Sequence, residues 1–185
     1  MAENLNYGTE INVSLDQTNN GTVEKHCYDC ATYGGLYQWD EAMQYTASSP
    51  GNPSGVQGIC PPGWHLPSDA EWCELENYIE PGTDPGCNLT GWRGTNTGGA
   101  MKEAGTTHWN SPNTGATNSS GFTALAGGYS WSGSFSLAGN NGNWWSATQQ
   151  SSTHAWYRYL NYAEARVVRY YYGKLYGHSV RCVKD

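Results

Sequence analysis

From residue 82 to residue 143 the chain shows neither helical nor strand periodicity. It consists mostly of Gly, Asn, Ser and Thr, interrupted singly by Trp92, Trp109, Phe122, Leu125, Tyr129, Trp131, Phe135 and Leu137. A structureless insertion of that length is uncommon inside a domain, and this one is too aromatic for a linker. The reading that satisfies both facts is a set of packed loops, each pinned by one large side chain. Such a chain is neither a helical bundle nor a coiled coil. Its composition agrees, with 37% hydrophobic and 14% charged residues, the balance being small and polar. Nine Trp and fourteen Tyr against two Phe exclude disorder and favour binding surfaces, because these rings combine apolar area with a polar handle. With 185 residues and 20.2 kDa, a single domain over 1–185 is expected. No apolar stretch reaches the roughly 20 residues of a membrane helix.

Helical signals are concentrated at Ser68-Asp-Ala-Glu71, a capping box in which Ser68 accepts from the third helical amide and Glu71 reaches back. Trp72, Leu75 and Ile79 follow on one face, and Pro81-Gly82 ends the helix. A shorter helix is expected near 40–46, opened by Asp40, with Ala42 and Met43 inward. Strands are expected at Trp144–Thr148, Ala155–Tyr162, Arg166–Tyr171 and Ser179–Val183. In the second of these, alternation turns Trp156 and Leu160 inward and Tyr157, Tyr159 and Asn161 outward.

Six cysteines in a loop-rich chain point to an oxidising compartment. Cys27 and Cys30 have C-x2-C spacing, open to zinc, a local disulfide or free thiols. Cys73 and Cys87 bracket a Pro- and Gly-containing turn that lets them meet, whereas Cys60 and Cys182 require a long-range closure. No basic and apolar leader follows Met1, so an export address is expected upstream of this segment.

The net charge of -7 divides unevenly. Residues 1–153 hold three basic and fourteen acidic side chains, and residues 154–185 hold six basic and two acidic. The basic end suggests a mildly basic surface, but the acidic remainder repels phosphate, so no nucleic-acid partner is expected.

Four ordered motifs run through the chain: Met1-Ala-Glu-Asn-Leu-Asn-Tyr7, Tyr33-Gly-Gly-Leu-Tyr-Gln-Trp-Asp-Glu-Ala-Met43, Gly58-Ile-Cys-Pro-Pro-Gly-Trp-His-Leu-Pro-Ser-Asp-Ala-Glu-Trp72 and Gly177-His-Ser-Val-Arg-Cys-Val183. Together they resemble the Fibrobacter succinogenes major paralogous domain family of bacterial surface-associated domains. That family resembles in turn the C-type lectin fold of formylglycine-generating enzymes, through Trp64–Trp72, Trp145-Ser-Ala and Val180–Val183. The implied fold is α+β and C-type lectin-like, with a small twisted antiparallel sheet, two helices and high loop content. Formylglycine-generating enzymes bind copper with two C-terminal cysteines, whereas Cys182 is the one cysteine after Cys87 here. No Ser/His/Asp or HExxH set stands in reserve. Asp69 and Glu71 are explained as capping residues. The expectation is a protein that is not an enzyme, with no catalytic residues, no cofactor and no metal site. No ordered D-x-D-x-D-G calcium loop is present either.

Residues 151–178 hold seven tyrosines among Arg158, Arg166 and Arg169, the residue types that interface hot spots and antibody combining sites use. This segment, framed by Trp144-Trp-Ser-Ala and Ser179-Val-Arg-Cys182, resembles the variable region of diversity-generating retroelement target proteins. In those systems adenine-directed mutagenesis rewrites Asn-type codons, from which Tyr, Ser, His, Gly, Arg, Leu, Val and Ala are reachable. Tyr157, Tyr159, Ala163, Arg166, Val168, Tyr170, Tyr171, Tyr172, Gly173, Leu175, Tyr176 and His178 fit that set and form the expected ligand-binding residues. Glu164 does not fit it. The expected partner is a protein or surface ligand, met at the cell surface, outside the cell or on a phage particle. The alternatives are a structural or adhesion domain without diversification, and an oxidase of the formylglycine-generating kind.

Overall fold

Trp144 and Trp145 are neighbours on one strand and so point to opposite faces, yet both are fully buried. Their sheet is therefore covered on both sides, and an apolar cluster forms around each indole. Trp145 lies with Leu5, Tyr37, Trp39, Met43, Ile59 and Leu66, and Trp144 with Trp72, Met101, Trp109, Leu160 and Val167. Each indole N–H donates to an acceptor, Trp145 to the Tyr37 carbonyl at 2.8 Å and Trp144 to Asn4 Oδ1 at 2.9 Å. The burial thus leaves neither donor unpaired.

The computed structural model describes residues 3–185; Met1 and Ala2, which open the first motif, lie outside the described residues. In chain order the elements are β1 (Thr9–Glu10), β2 (Glu24–Lys25), α1 (Cys30–Tyr33), α2 (Trp39–Ala42), β3 (Trp64–His65), α3 (Asp69–Ile79), β4 (Gly91–Arg93) and α4 (Thr97–Met101). There follow β5 (Tyr129–Trp131), β6 (Ser134–Ser136), β7 (Asn141–Gln149), β8 (His154–Asn161), β9 (Val167–Gly173) and β10 (Val183–Lys184). The fold is α+β. Its main sheet is antiparallel with order β4-β9-β8-β7, and β1-β2, β3-β10 and β5-β6 form two-stranded pairs, of which β1-β2 is parallel.

The strands expected from sequence become β7, β8 and β9 with boundaries shifted by a few residues. The fourth is shorter than expected. Ser179 bridges Trp144 in parallel, and regular pairing resumes only at Val183–Lys184 against Trp64–His65. The capping box forms as expected: the Ser68 hydroxyl accepts from the Glu71 amide at 3.1 Å, and Glu71 Oε2 accepts from the Ser68 amide at 2.9 Å. Trp72 is buried, and Leu75 and Ile79 pack at the edge of its cluster. Truncating Trp72 to Ala is expected to destabilise the domain by about 3–5 kcal/mol, read from urea denaturation; a variant as stable as the parent would remove α3 from the core.

Four helices are present among the described residues, against the two expected. The helix near 40–46 is a single turn at Trp39–Ala42, with Ala42 and Met43 buried as expected. The unexpected α4 contains Gly98-Gly99, poor helix formers. A Cβ on Gly98 would meet the Arg166 carbonyl at 2.3 Å, and one on Gly99 the Gly115 carbonyl at 2.2 Å. Close packing selects glycine there and overrides propensity. From the end of α4, Lys102 donates to the carbonyls of Thr114, Asn161 and Glu164, each at 2.9 Å. This ties the loop after α4 to the turn between β8 and β9.

The cysteines form three disulfides, Cys27–Cys30, Cys60–Cys182 and Cys73–Cys87. Among the described residues no helix is long and apolar enough to cross a membrane.

The expected basic surface is corrected by burial. Arg158, Arg169 and Arg181 are all buried, and the first two bond to acidic residues of α3 behind the sheet. Arg158 Nη1 reaches Asp69 at 2.6 Å and its Nε reaches Glu76 at 2.5 Å, while Arg169 Nη2 meets Asp69 at 2.6 Å. Arg93 from β4 pairs with Glu76 and, at 2.8 Å, with Asp84. Asp69 is thus a partner of two arginines as well as the first helical residue. Two of the six basic side chains of 154–185 are thus matched in space to carboxylates of the acidic segment.

Burial alone would raise the Asp69 carboxyl, but the Arg158 and Arg169 guanidiniums hold it below the usual range. Asp84 is likewise lowered against its burial, by the Leu89 amide, Arg93 and the Asn88 amide. Glu80 is lowered to about 2, because the hydroxyls of Thr95 and Thr97 and the amides of Thr95 and Asn96 outweigh burial. Carboxyls depressed on folding stabilise fully above their unfolded values and lose that contribution as pH falls through their folded ones. The urea midpoint is therefore expected to drop between about pH 4.5 and about pH 2. A midpoint that stays flat over this interval would show that these contacts contribute nothing to folding.

Candidate ligand-binding face

Residues directly opposite on antiparallel strands share a face, so the register decides which tyrosines lie together. Tyr157 faces Tyr170, Ala155 faces Tyr172 and Tyr159 faces Val168, while Trp92 of β4 also faces Val168. These side chains occupy the front of the sheet, the face that bears Trp145. Arg158, Leu160, Val167 and Arg169 occupy the back, against α3.

Front-face rings touch in an unbroken series. Trp92 meets Tyr159 with centroids 5.3 Å apart, Tyr159 stacks along Tyr157 at 6.1 Å, and Tyr157 meets Tyr172 edge-on at 5.7 Å. Tyr172 then meets Tyr176 at 4.2 Å, and Tyr176 stacks on Trp131 at 4.1 Å and 4°. Tyr129 joins through Tyr176 at 5.7 Å. Trp92, Tyr172 and Trp131 of this series, and Tyr170 beside it on β9, are exposed by 36–41%, so the ridge meets solvent at its two ends, on either side of the buried Tyr157. Leu175, exposed by 52%, lies in the turn between Tyr172 and Tyr176. Arg166 extends the ridge over Trp92, 5.4 Å from its ring, and pairs with Glu164 at 2.6 Å.

Three of the expected ligand-binding residues lie inside. Tyr157 is 6% exposed, Val168 4% and His178 2%. Alternation puts Tyr157 on the correct face, but the chain beyond β9 returns over that face and roofs it. The His178 amide donates to the Tyr37 carbonyl, and Ser179 pairs beside β7, which lays the His178 ring against Tyr157 at 5.0 Å and Trp145 at 4.2 Å. Burial lowers His178 to about 3, so it is neutral at physiological pH, and it raises the Tyr157 hydroxyl far above its ordinary value. Val168 is covered between its neighbours Tyr159 and Trp92.

Tyr171 is also displaced. Its register partner is Trp156, so its strand position belongs to the back face, where its ring meets Trp156 at 5.5 Å. The same ring lies alongside Tyr170 at 4.7 Å, near the end of β9 that β4 does not cover. Tyr159, Arg166, Gly173 and Tyr176 are half-buried, and Ala163 is exposed at the β8–β9 turn. Trp156, expected inward, is half-buried on the back with the Arg169 guanidinium 3.7 Å from its ring centre. Asn161, expected outward, is half-buried and donates to Asn141 at 2.8 Å.

Sequence reasoning missed Trp92, Tyr129 and Trp131 by treating them as loop pins. A signal existed for two of them. Tyr129-Ser-Trp131 alternates and is followed by Ser132-Gly133, both with positive φ (46° and 81°), a two-residue hairpin turn that aims Tyr129 and Trp131 to one side.

The division predicts contrasting variants. Tyr157→Ser is expected to cost about 3–5 kcal/mol, whereas Tyr170→Ser and Leu175→Ser are each expected to cost within about 0.5 kcal/mol. Thermal melts decide, and equal losses at buried and exposed positions would refute the assigned roof.

Among the described residues no group of three or more His, Cys, Asp or Glu side chains is placed to hold a metal ion. No curated protein and no solved structure matches the chain. The family model of the Fibrobacter succinogenes major domain matches residues 1–184. All four motifs fall inside that span, and the chain belongs to the Fibrobacter succinogenes major domain family.

Proposed function

We propose that the domain is a non-enzymatic ligand-binding module of C-type lectin-like fold, the variable protein of a diversity-generating retroelement. It presents its ridge of rings to a protein or surface ligand at the cell surface, outside the cell or on a phage particle. The observation that carries this reading is the continuous aromatic series from Trp92 to Trp131 across the front of the sheet. Exposed Tyr and Trp offer large contact area at little rotamer cost, and the back of the sheet is fixed independently by the arginine–carboxylate cluster. Three disulfides suit an oxidising location.

Under this reading variation falls on Tyr159, Ala163, Arg166, Tyr170, Tyr171, Tyr172, Gly173, Leu175 and Tyr176, whose side chains or backbone reach solvent. Tyr157, Val168 and His178 are packing positions. Glu164, which the adenine-directed set does not reach, has a fixed task. Arg166 and the amides of Arg166 and Ala165 bond to its carboxylate, which lowers it to about 2 and shapes the β8–β9 turn.

Two measurements test the proposal. Sequencing the gene's neighbourhood should find a reverse transcriptase and an inexact second copy of the segment encoding 151–178, with differences confined to adenines. Separately, replacing Tyr170, Tyr172 and Trp131 together with Ser should abolish binding to whatever surface the parent domain labels, since each anchor of this type is worth about 2 kcal/mol. A locus without these genes would remove the retroelement, and undiminished labelling would remove the face.

A further inference from the structure

The Cys73–Cys87 disulfide lies inside the charged cluster behind the sheet, and its two sulfurs have opposite surroundings. Cys73 Sγ is 3.3 Å from Arg158 Nη2 and 3.4 Å from Arg93 Nη1. Cys87 Sγ instead approaches Asp69, at 3.6 Å from its carbonyl and 3.7 Å from Oδ2. Around the bond stand Asp69 and Glu76 from α3, Asp84 from the following loop, Arg93 from β4, Arg158 from β8 and Arg169 from β9, three charges of each sign. The cluster is short of acceptors, since the buried Nε of Arg93 has no hydrogen-bond partner. Access differs as well. Both cysteines line a cavity of about 1090 Å³ beside Tyr78 and Pro85, but Cys73 is only 4% exposed in its wall whereas Cys87 is half-buried.

We infer that Cys73–Cys87 is a thiol-exchange site with a fixed direction, in which an external thiol modifies Cys87 and Cys73 leaves as a thiolate held by Arg93 and Arg158. The attacking thiol gives its proton to solvent, and its sulfur bonds to Cys87 Sγ. The Cys73–Cys87 bond breaks with its electron pair on Cys73 Sγ. No net oxidant or reductant is consumed, and loss of the external thiol by the reverse step restores the disulfide. Leaving-group stability and access both set exchange rates, and here both select the same sulfur for attack. Cys60 and Cys182 are 3% and 0% exposed, so their bond lacks such an entry. The proposal gives the domain a site for a low-molecular-weight thiol on the side of the sheet away from the aromatic ridge.

The test treats the intact domain with glutathione at neutral pH, quenches with acid, alkylates the free thiols and maps adducts by mass spectrometry. Glutathione is expected on Cys87 and the alkyl group on Cys73, with this bond opening about tenfold or more faster than Cys60–Cys182. Glutathione on Cys73, or opening no faster than Cys60–Cys182, would overturn the inference. As a second measurement, the Cys73 thiol in Cys87→Ser is titrated by thiolate absorbance. A midpoint clearly below the ordinary value of about 8.5 is expected, and a midpoint at or above it would overturn the arginine-held leaving group.

Discussion

Replacing Glu76 with Ala is expected to lower the stability of the domain by about 3–5 kcal/mol, the loss typical of removing one partner from a buried ion pair. Glu76 has no exposed surface and bonds to both Arg93 and Arg158. Its removal leaves three guanidiniums, those of Arg93, Arg158 and Arg169, behind the sheet with Asp69 and Asp84 as the remaining carboxylates, so one positive charge stays uncompensated away from water. Glu76→Gln keeps the shape and removes the charge, so it should cost nearly as much. Urea denaturation followed by circular dichroism measures both. A loss below about 1 kcal/mol in each would mean that water or the other two carboxylates solvate the arginines, and that the cluster contributes little to holding α3 on the sheet.

Removal of Cys60–Cys182 through a double Ala variant should have an effect of similar size. The bond links residues 122 positions apart, and the chain-entropy relation for a loop of that length gives about 4–5 kcal/mol. The same change at Cys27–Cys30, whose separation is 3, should cost only about 2 kcal/mol. The ordering of the two losses is the informative result. Equal losses would show that the bridges act through local packing rather than by restricting the unfolded chain.

How much of this was legible in the sequence depended on how local each determinant is. The cap at Ser68, the apolar stripe through Trp72 and the stop at Pro81 lie within one segment, and α3 forms as that segment specifies. β8 and β9 were legible because alternation operates within a strand. Whether an outward-phased ring meets solvent is not local. Tyr157 has the expected phase, and only the distant return of His178 and Ser179 covers it. The charge count failed for the same reason, because Asp69 and Glu76 precede their partner Arg158 by more than eighty residues and a linear tally cannot pair them. α4 was hidden by Gly98-Gly99, whose reason lies in the approach of Arg166 and Gly115. Along the aromatic ridge, Tyr170 and Tyr172 of β9 could be read from the segment itself, whereas Trp92 joins through pairing with a strand about 75 residues later.

Lys102 has a consequence for how the loops stay ordered in changing surroundings. Three carbonyls from residues 114, 161 and 164 converge on one ammonium, an arrangement that a free inorganic ion could also occupy. An ion from solution comes and goes with its concentration and can be stripped by a chelator, so loops built around it soften when it becomes scarce. A cation attached to the backbone cannot be diluted. The junction between the loop after α4 and the β8–β9 turn therefore carries its own cation, and the support beneath Ala163 and Arg166 needs no ion from solution below about pH 8, the value to which burial lowers Lys102.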